Sequence, residues 1–104
     1  MTTFDDRERA FETKFAHDAA MQFRATSRRN RLVALWAAEL MGKSSDEAAD
    51  YAAELQRADM AAPGQDDLLR RLTADLDGRA DEQTIRGRME LCLDEARAQI
   101  LAEI

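Results

Sequence analysis

The chain is poor in the residues that most chemistry requires. One cysteine, Cys92, excludes an intramolecular disulfide, and nothing in its surroundings points to an oxidising compartment. One histidine, His17, stands far along the chain from that cysteine, so no metal-ligand spacing exists and no metal is expected. There is one proline, and only six residues are aromatic. Beta-branched residues are scarce, which argues against a sheet. No stretch approaches the length of about 20 apolar residues needed to span a bilayer. The opening from Met1 to Arg9 is polar and acidic and lacks the apolar centre of a signal peptide. Cytoplasm is the expected compartment, with no direct membrane insertion.

What remains is the composition of a helical protein. The 104 residues have room for one domain, and 45% of them are apolar, with much of that share alanine. Ala, Leu, Glu and Arg, which dominate, are all good helix formers. The net charge of −6 argues against general affinity for nucleic acid, whose phosphates would be repelled by most of the surface. The charge is uneven, however. Between residues 19 and 31 stand Arg24, Arg28, Arg29 and Arg31 without a single acid, whereas the acidic residues crowd the C-terminal half.

Helix signals follow one another with short breaks. Thr2 or Thr3 can cap a first turn in which Asp5 and Asp6 suit the helix dipole. Apolar residues then recur through Phe11, Phe15, Ala19, Phe23, Leu32, Leu35, Trp36 and Leu40, until Gly42 supplies a stop. Ser44 and Glu47 form a capping box for a second helix presenting Ala48, Tyr51, Ala52 and Leu55. Ala62-Pro63-Gly64 breaks it. A short third helix carries Leu68, Leu69, Leu72 and Leu76, and Gly78 closes it. Asp81 caps the last helix, where Ile85, Met89, Cys92, Leu93, Ala96, Ile100 and Ile104 share an arc of roughly 120°. Short connections favour antiparallel neighbours. The expected fold is all-α, a small four-helix bundle over residues 20–104 with a helical or partly disordered N-terminal arm over residues 1–19.

The arm has its own pattern. Phe4, Phe11 and Phe15 fall within ~40° of one another, a ridge narrower than a usual core stripe. Burying three phenylalanines would yield roughly 5–8 kcal/mol. Ordering the backbone of residues 1–18 costs on the order of 18 kcal/mol before helix hydrogen bonds offset part of it. The segment therefore reads as a marginal helix that becomes firm when its aromatic side meets something. Two readings of the ridge stand: it covers the bundle, or it enters a partner's cleft as a helix-in-groove ligand.

Catalysis requires a nucleophile, an acid–base pair or a metal, and the inventory supplies none, so an enzyme is not expected. Cys92 sits on the core stripe of the last helix and reads as a buried structural thiol. Gly42-Lys43-Ser44 resembles the end of a phosphate loop, but position 37 is alanine where the loop needs glycine. Asp75-Leu76-Asp77-Gly78 fails as a calcium loop because Thr73 and Thr84 occupy its carboxylate positions. The arginine cluster has three readings: a solvated face, a patch for an acidic protein partner, or a weak ATP/ADP site in which Arg24, Arg28, Arg29 and Arg31 meet phosphates.

Longer blocks carry a family resemblance. M-T-T-F-D-D-R-E-R-A-F-E-T-K-F-A-H-D at 1–18, R-R-N-R-L-V-A-L-W-A-A-E at 28–39, the run at 58–76 and I-R-G-R-M-E at 85–90 resemble the zeta subunit of alphaproteobacterial F-type ATP synthases. Arginine stands here where relatives often carry lysine, and the loop from Asp77 to Asp81 is short. The resemblance implies an inhibitor of ATP hydrolysis whose extreme N-terminal segment is the inhibitory element. Phe4, Asp5, Arg7, Phe11, Lys14 and Phe15 are then its contact candidates. The implied partner is the catalytic head, with its alpha, beta and gamma subunits, of the membrane-bound synthase, and no cofactor is implied. An adenine-nucleotide-responsive regulatory or adaptor protein is the alternative. With no clear heptad seam for self-pairing, a monomer is expected when free.

Overall fold

A computed structural model describes residues 18–61 and 64–103. Among the described residues four helices follow in order: α1 (Ala19–Leu40), α2 (Ser45–Ala61), α3 (Gln65–Asp75) and α4 (Glu82–Glu103). There is no strand among the described residues, and the helices pack as the expected bundle.

The helix ends obey local rules. Ser44 Oγ accepts from the Glu47 amide at 3.2 Å while Glu47 Oε1 accepts from the Ser44 amide at 2.9 Å, the reciprocal pair of a capping box. Asp81 Oδ1 accepts from the Thr84 amide at 2.8 Å. At the end of α1 the Lys43 amide donates to the Ala38 carbonyl and the Gly42 amide to that of Glu39. This is a Schellman closure, which needs the left-handed backbone of Gly42 at φ 72°.

The first helix begins later than its apolar spacing suggests. Asp18 is extended, with φ −122° and ψ 103°, and its side chain accepts from the Met21 amide at 3.1 Å. A capping aspartate interrupts helical backbone, so the continuous helix expected from Thr2 or Thr3 to Leu40 breaks at Asp18. The expected start itself lies outside the described residues.

Helix α1 is the axis of the bundle, and α2 and α4 flank it, both antiparallel to it. Ser27 on α1 meets Gln56 on α2, whereas Met21 and Ala25 cluster with Ile100 near the end of α4. Having two neighbours explains why α1 buries a face that its large apolar residues marked only in part. Ala25, Ala34, Ala37 and Ala38 are buried with Met21 and Val33, while Leu32, Leu35 and Trp36 are half-buried. Small side chains let two helices approach one axis, and the larger residues pack around the seam. Leu40 and Phe23, expected on the apolar face, are exposed.

The other helices follow their sequence patterns more closely. Tyr51, Ala52 and Leu55 of α2, Leu68, Leu69 and Leu72 of α3, and Leu76 after it join the core. On α4 the buried residues are Ile85, Met89, Cys92, Ala96 and Ile100, with Leu93 half-buried beside them. No helix among the described residues is long and apolar enough to cross a membrane.

Candidate functional site

The N-terminal candidates Phe4, Asp5, Arg7, Phe11, Lys14 and Phe15 lie outside the described residues, as does His17. The arginine cluster is described in full, and the fold divides it. Arg24 and Arg28 stand one turn apart and converge on the carboxylate of Glu103, at the far end of the chain. Arg28 bonds both carboxylate oxygens of Glu103, through Nη1 to Oε1 and through Nη2 to Oε2 at 3.1 Å, and Arg24 Nη2 reaches Oε2 at 3.2 Å. Hydrogen bonding from Arg28 holds the Glu103 carboxyl below its usual range; burial opposes it, and the nearby charges of Arg28 and Arg24 add to the lowering.

Arg29 departs from the expected patch. It is only 5% exposed and packs inside the bundle, where its Nε donates to Asn30 Oδ1 at 3.0 Å. Burial lowers its pKa, opposed by the attraction of Asp59 on α2. At this exposure its guanidinium offers little surface to an external protein or phosphate. The physical reason is the bundle's geometry: one turn of α1 faces α2 and α4 at once, and Arg29 points into that angle. Arg31, two residues on, is exposed, and no ion pair reaches it among the described residues.

Two hollows lie elsewhere. A groove of about 220 Å³ between α2 and α3 is lined by Leu55, Ala58, Asp59, Asp67, Leu68 and Arg71. An open hollow at the α3–α4 connection is lined by backbone and side chains from Thr73 to Glu82. Among the described residues no group of three or more His, Cys, Asp or Glu is placed to hold a metal ion. Cys92 is buried, and burial raises its pKa, which favours the protonated thiol. The groups at these places can bind charge and apolar surface.

The sequence model of ATPase inhibitor subunit zeta covers residues 1–99. The chain belongs to the ATPase inhibitor zeta-subunit family. Three solved protein chains also match it. One of them, determined in solution by NMR, is 45% identical, with the match covering 81% of this chain and 99% of that one at a TM-score of 0.72. No curated protein matches the sequence. Membership in the zeta family supports an ATPase-inhibitory role and implies association with the ATP synthase. An inhibitor subunit is not a class of enzyme.

One member of the surface cluster and one exposed ring escaped the sequence. Glu103 is 75 residues from Arg28 and meets it only because α1 and α4 run antiparallel. Phe23 fits the helical apolar spacing, yet it is 57% exposed. Its neighbour Arg24, which belongs to the solvent face, was the one local sign of this.

Proposed function

We propose that this zeta-family chain inhibits ATP hydrolysis by inserting its N-terminal segment, residues 1–19, into a catalytic interface of the F-type ATP synthase head. The observation that carries the proposal is the family match over residues 1–99, which takes in the phenylalanine ridge together with the bundle. Phe4, Phe11 and Phe15 would enter the cleft as anchors, with Asp5, Arg7 and Lys14 setting register and steering the encounter. Residues 20–104 form the domain that presents the segment, and the alpha, beta and gamma subunits line the cleft. A wedged interface cannot close around nucleotide, so hydrolysis stops without chemistry from the inhibitor.

The Asp18 cap supports a division of labour at this point in the chain. It gives α1 its own N-terminal stop, so the bundle helix does not need the preceding residues to start. The test is hydrolysis by the isolated catalytic head with the full chain and with a shortened chain beginning at Asp18, which retains the cap. Inhibition by the full chain alone upholds insertion. Equal inhibition by both removes the N-terminal segment from the mechanism.

One observation favours the nucleotide-responsive alternative: Arg24 and Arg28 already converge on an anionic group, as they would on a phosphate. Amide shifts at residues 24–31 on adding ATP or ADP, without inhibition of the head by the full chain, would support it over insertion.

A further inference from the structure

The outer face of α1 combines features that the bundle does not use. Arg24, Arg28 and Arg31 lie within ~60° of one another at helical spacing, with Phe23 on the adjoining flank of the helix, ~80° from Arg31. Phe23 is 57% exposed, so most of its ring contributes nothing to the core. Phenylalanine and arginine together are the residue types enriched where protein interfaces concentrate their binding energy. The arc belongs to the only long acid-free stretch of a chain whose net charge is −6.

The arc already holds a carboxylate. Glu103 uses both its oxygens on Arg28 and Arg24, while Arg31 has no ion pair among the described residues. Side-chain exposures of 47% for Arg24, 29% for Arg28 and 45% for Glu103 leave all three open to water. Exposed ion pairs of this kind contribute little net stability, because water competes for both partners. A carboxylate from outside can therefore displace Glu103 at small cost and gain the same two guanidiniums, with Arg31 and Phe23 as additional contacts.

We propose that this face of α1 is a docking surface for an acidic protein segment of the ATPase head, with Phe23 as apolar anchor, and that Glu103 occupies its Arg24–Arg28 fork in the free protein as an internal competitor. The proposal rests on the reading that the chain binds the head, and it concerns a contact separate from the N-terminal segment. Charge complementarity selects the partner: the resident ligand is a carboxylate, and the exposed aromatic ring of Phe23 stands on the adjoining flank of the helix. The surface is a helix face, bordered by neither the α2–α3 groove nor the hollow at the α3–α4 connection. A flat face fits another protein better than a nucleotide, which requires a concave site to bury its base.

The competitor role makes a prediction of unusual sign. In the full chain, Glu103→Gln frees the fork and lowers the Kd for the isolated head by about two- to fivefold. Replacing Arg24 and Arg28 together by alanine raises it by about tenfold or more and flattens its dependence on salt. Phe23→Ala, at an exposed position that spares the core, weakens binding independently of any effect on folding. Circular dichroism and a melting curve accompany each variant. Binding is read by direct titration rather than by inhibition, and the Glu103→Gln change is repeated in a full chain carrying F11A and F15A. A shift that persists there upholds the docking surface whether or not the N-terminal segment is the inhibitor. Unchanged or weaker binding of Glu103→Gln by a folded protein overturns the proposal, as does wild-type affinity in the double arginine or Phe23 variant. If Glu103→Gln tightens binding of ATP instead of the head, the fork is a phosphate site and the docking surface is likewise overturned.

Discussion

The Tyr51 hydroxyl donates a 2.7 Å hydrogen bond to Asp75 Oδ2, joining the middle of α2 to the end of α3. Arg71 Nε donates to the same oxygen at 2.7 Å and Arg71 Nη2 reaches Glu54 at 3.1 Å, so one carboxylate organises a network that binds α3 to α2. Lys43 and Arg71 also stand over the Tyr51 ring, 5.6 and 5.7 Å from its centroid. The α2–α3 contact is otherwise open, as the groove at its other end shows. Tyr51→Phe keeps the ring and removes one hydrogen bond to a charged group, which should cost about 1–2 kcal/mol in urea denaturation. Burial first, then the bond to Asp75, pushes the phenol well above its ordinary range. A raised folded pKa means that this contribution is complete below the unfolded value of about 10 and is lost as pH rises beyond it. Tyr51 is the chain's one tyrosine, so ultraviolet titration should show no phenolate in the folded protein where a free tyrosine ionises.

Two glycines should respond to alanine with opposite signs. Gly42 closes α1 at φ 72°, and a Cβ there would meet nothing within 4 Å, so the cost is backbone strain alone. Gly42→Ala should destabilise the bundle by about 1–2 kcal/mol. Gly87 lies inside α4, where a Cβ also meets open space. Gly87→Ala should stabilise by up to about 1 kcal/mol through helix propensity and a less flexible unfolded chain. Thermal melts of the two variants should move to either side of the wild type.

The caps and the core of α4 were legible because their causes are local. A serine followed three residues later by glutamate, or a stripe of Ile85, Met89, Cys92 and Ile100, states its role within a few residues. The face of α1 was only partly legible: Leu32, Leu35 and Trp36 do pack against the core, but the seam itself is formed by its alanines with Met21 and Val33. That choice depends on two neighbouring helices, and periodicity in one helix carries no information about how many neighbours it has. The site followed the same rule. Arg24, Arg28, Arg29 and Arg31 were visible as a cluster, but the fold alone decided that Arg29 turns inward and that Glu103 comes to meet Arg24 and Arg28.

Acidification should loosen the contact between the two chain-distant helix ends. The Glu103 carboxyl is held below its ordinary range chiefly by hydrogen bonds from Arg28. A depressed folded pKa gives a contribution that is present above the unfolded value of about 4.3 and lost as pH falls through the lower, folded one. Carboxyl NMR titration should place the Glu103 midpoint below that of a free glutamate, and Arg28→Ala should return it toward the ordinary value. The Glu47 carboxyl, lowered by its capping bonds with Ser44, should keep its midpoint in that variant, because no part of its environment includes Arg28.

Replacing Phe11 and Phe15 together by alanine tests whether the N-terminal ridge is the inhibitory anchor or a cover for the bundle. The described core draws its buried apolar residues from Met21 to Ile100, so its folding has a basis independent of the ridge. Anchors in an interface typically contribute about 2 kcal/mol or more each, and roughly 1.4 kcal/mol corresponds to a tenfold change in affinity. The double variant should therefore retain the helical circular dichroism of the wild type while the concentration needed for half-inhibition of the isolated head rises at least tenfold. Unchanged inhibition would leave the ridge no role in the catalytic interface. A large drop in melting temperature would mean that the phenylalanines cover the bundle, because an anchor meant for a partner has no reason to stabilise the free protein. The two roles are separable because one is read from the bundle alone and the other only when the head is present.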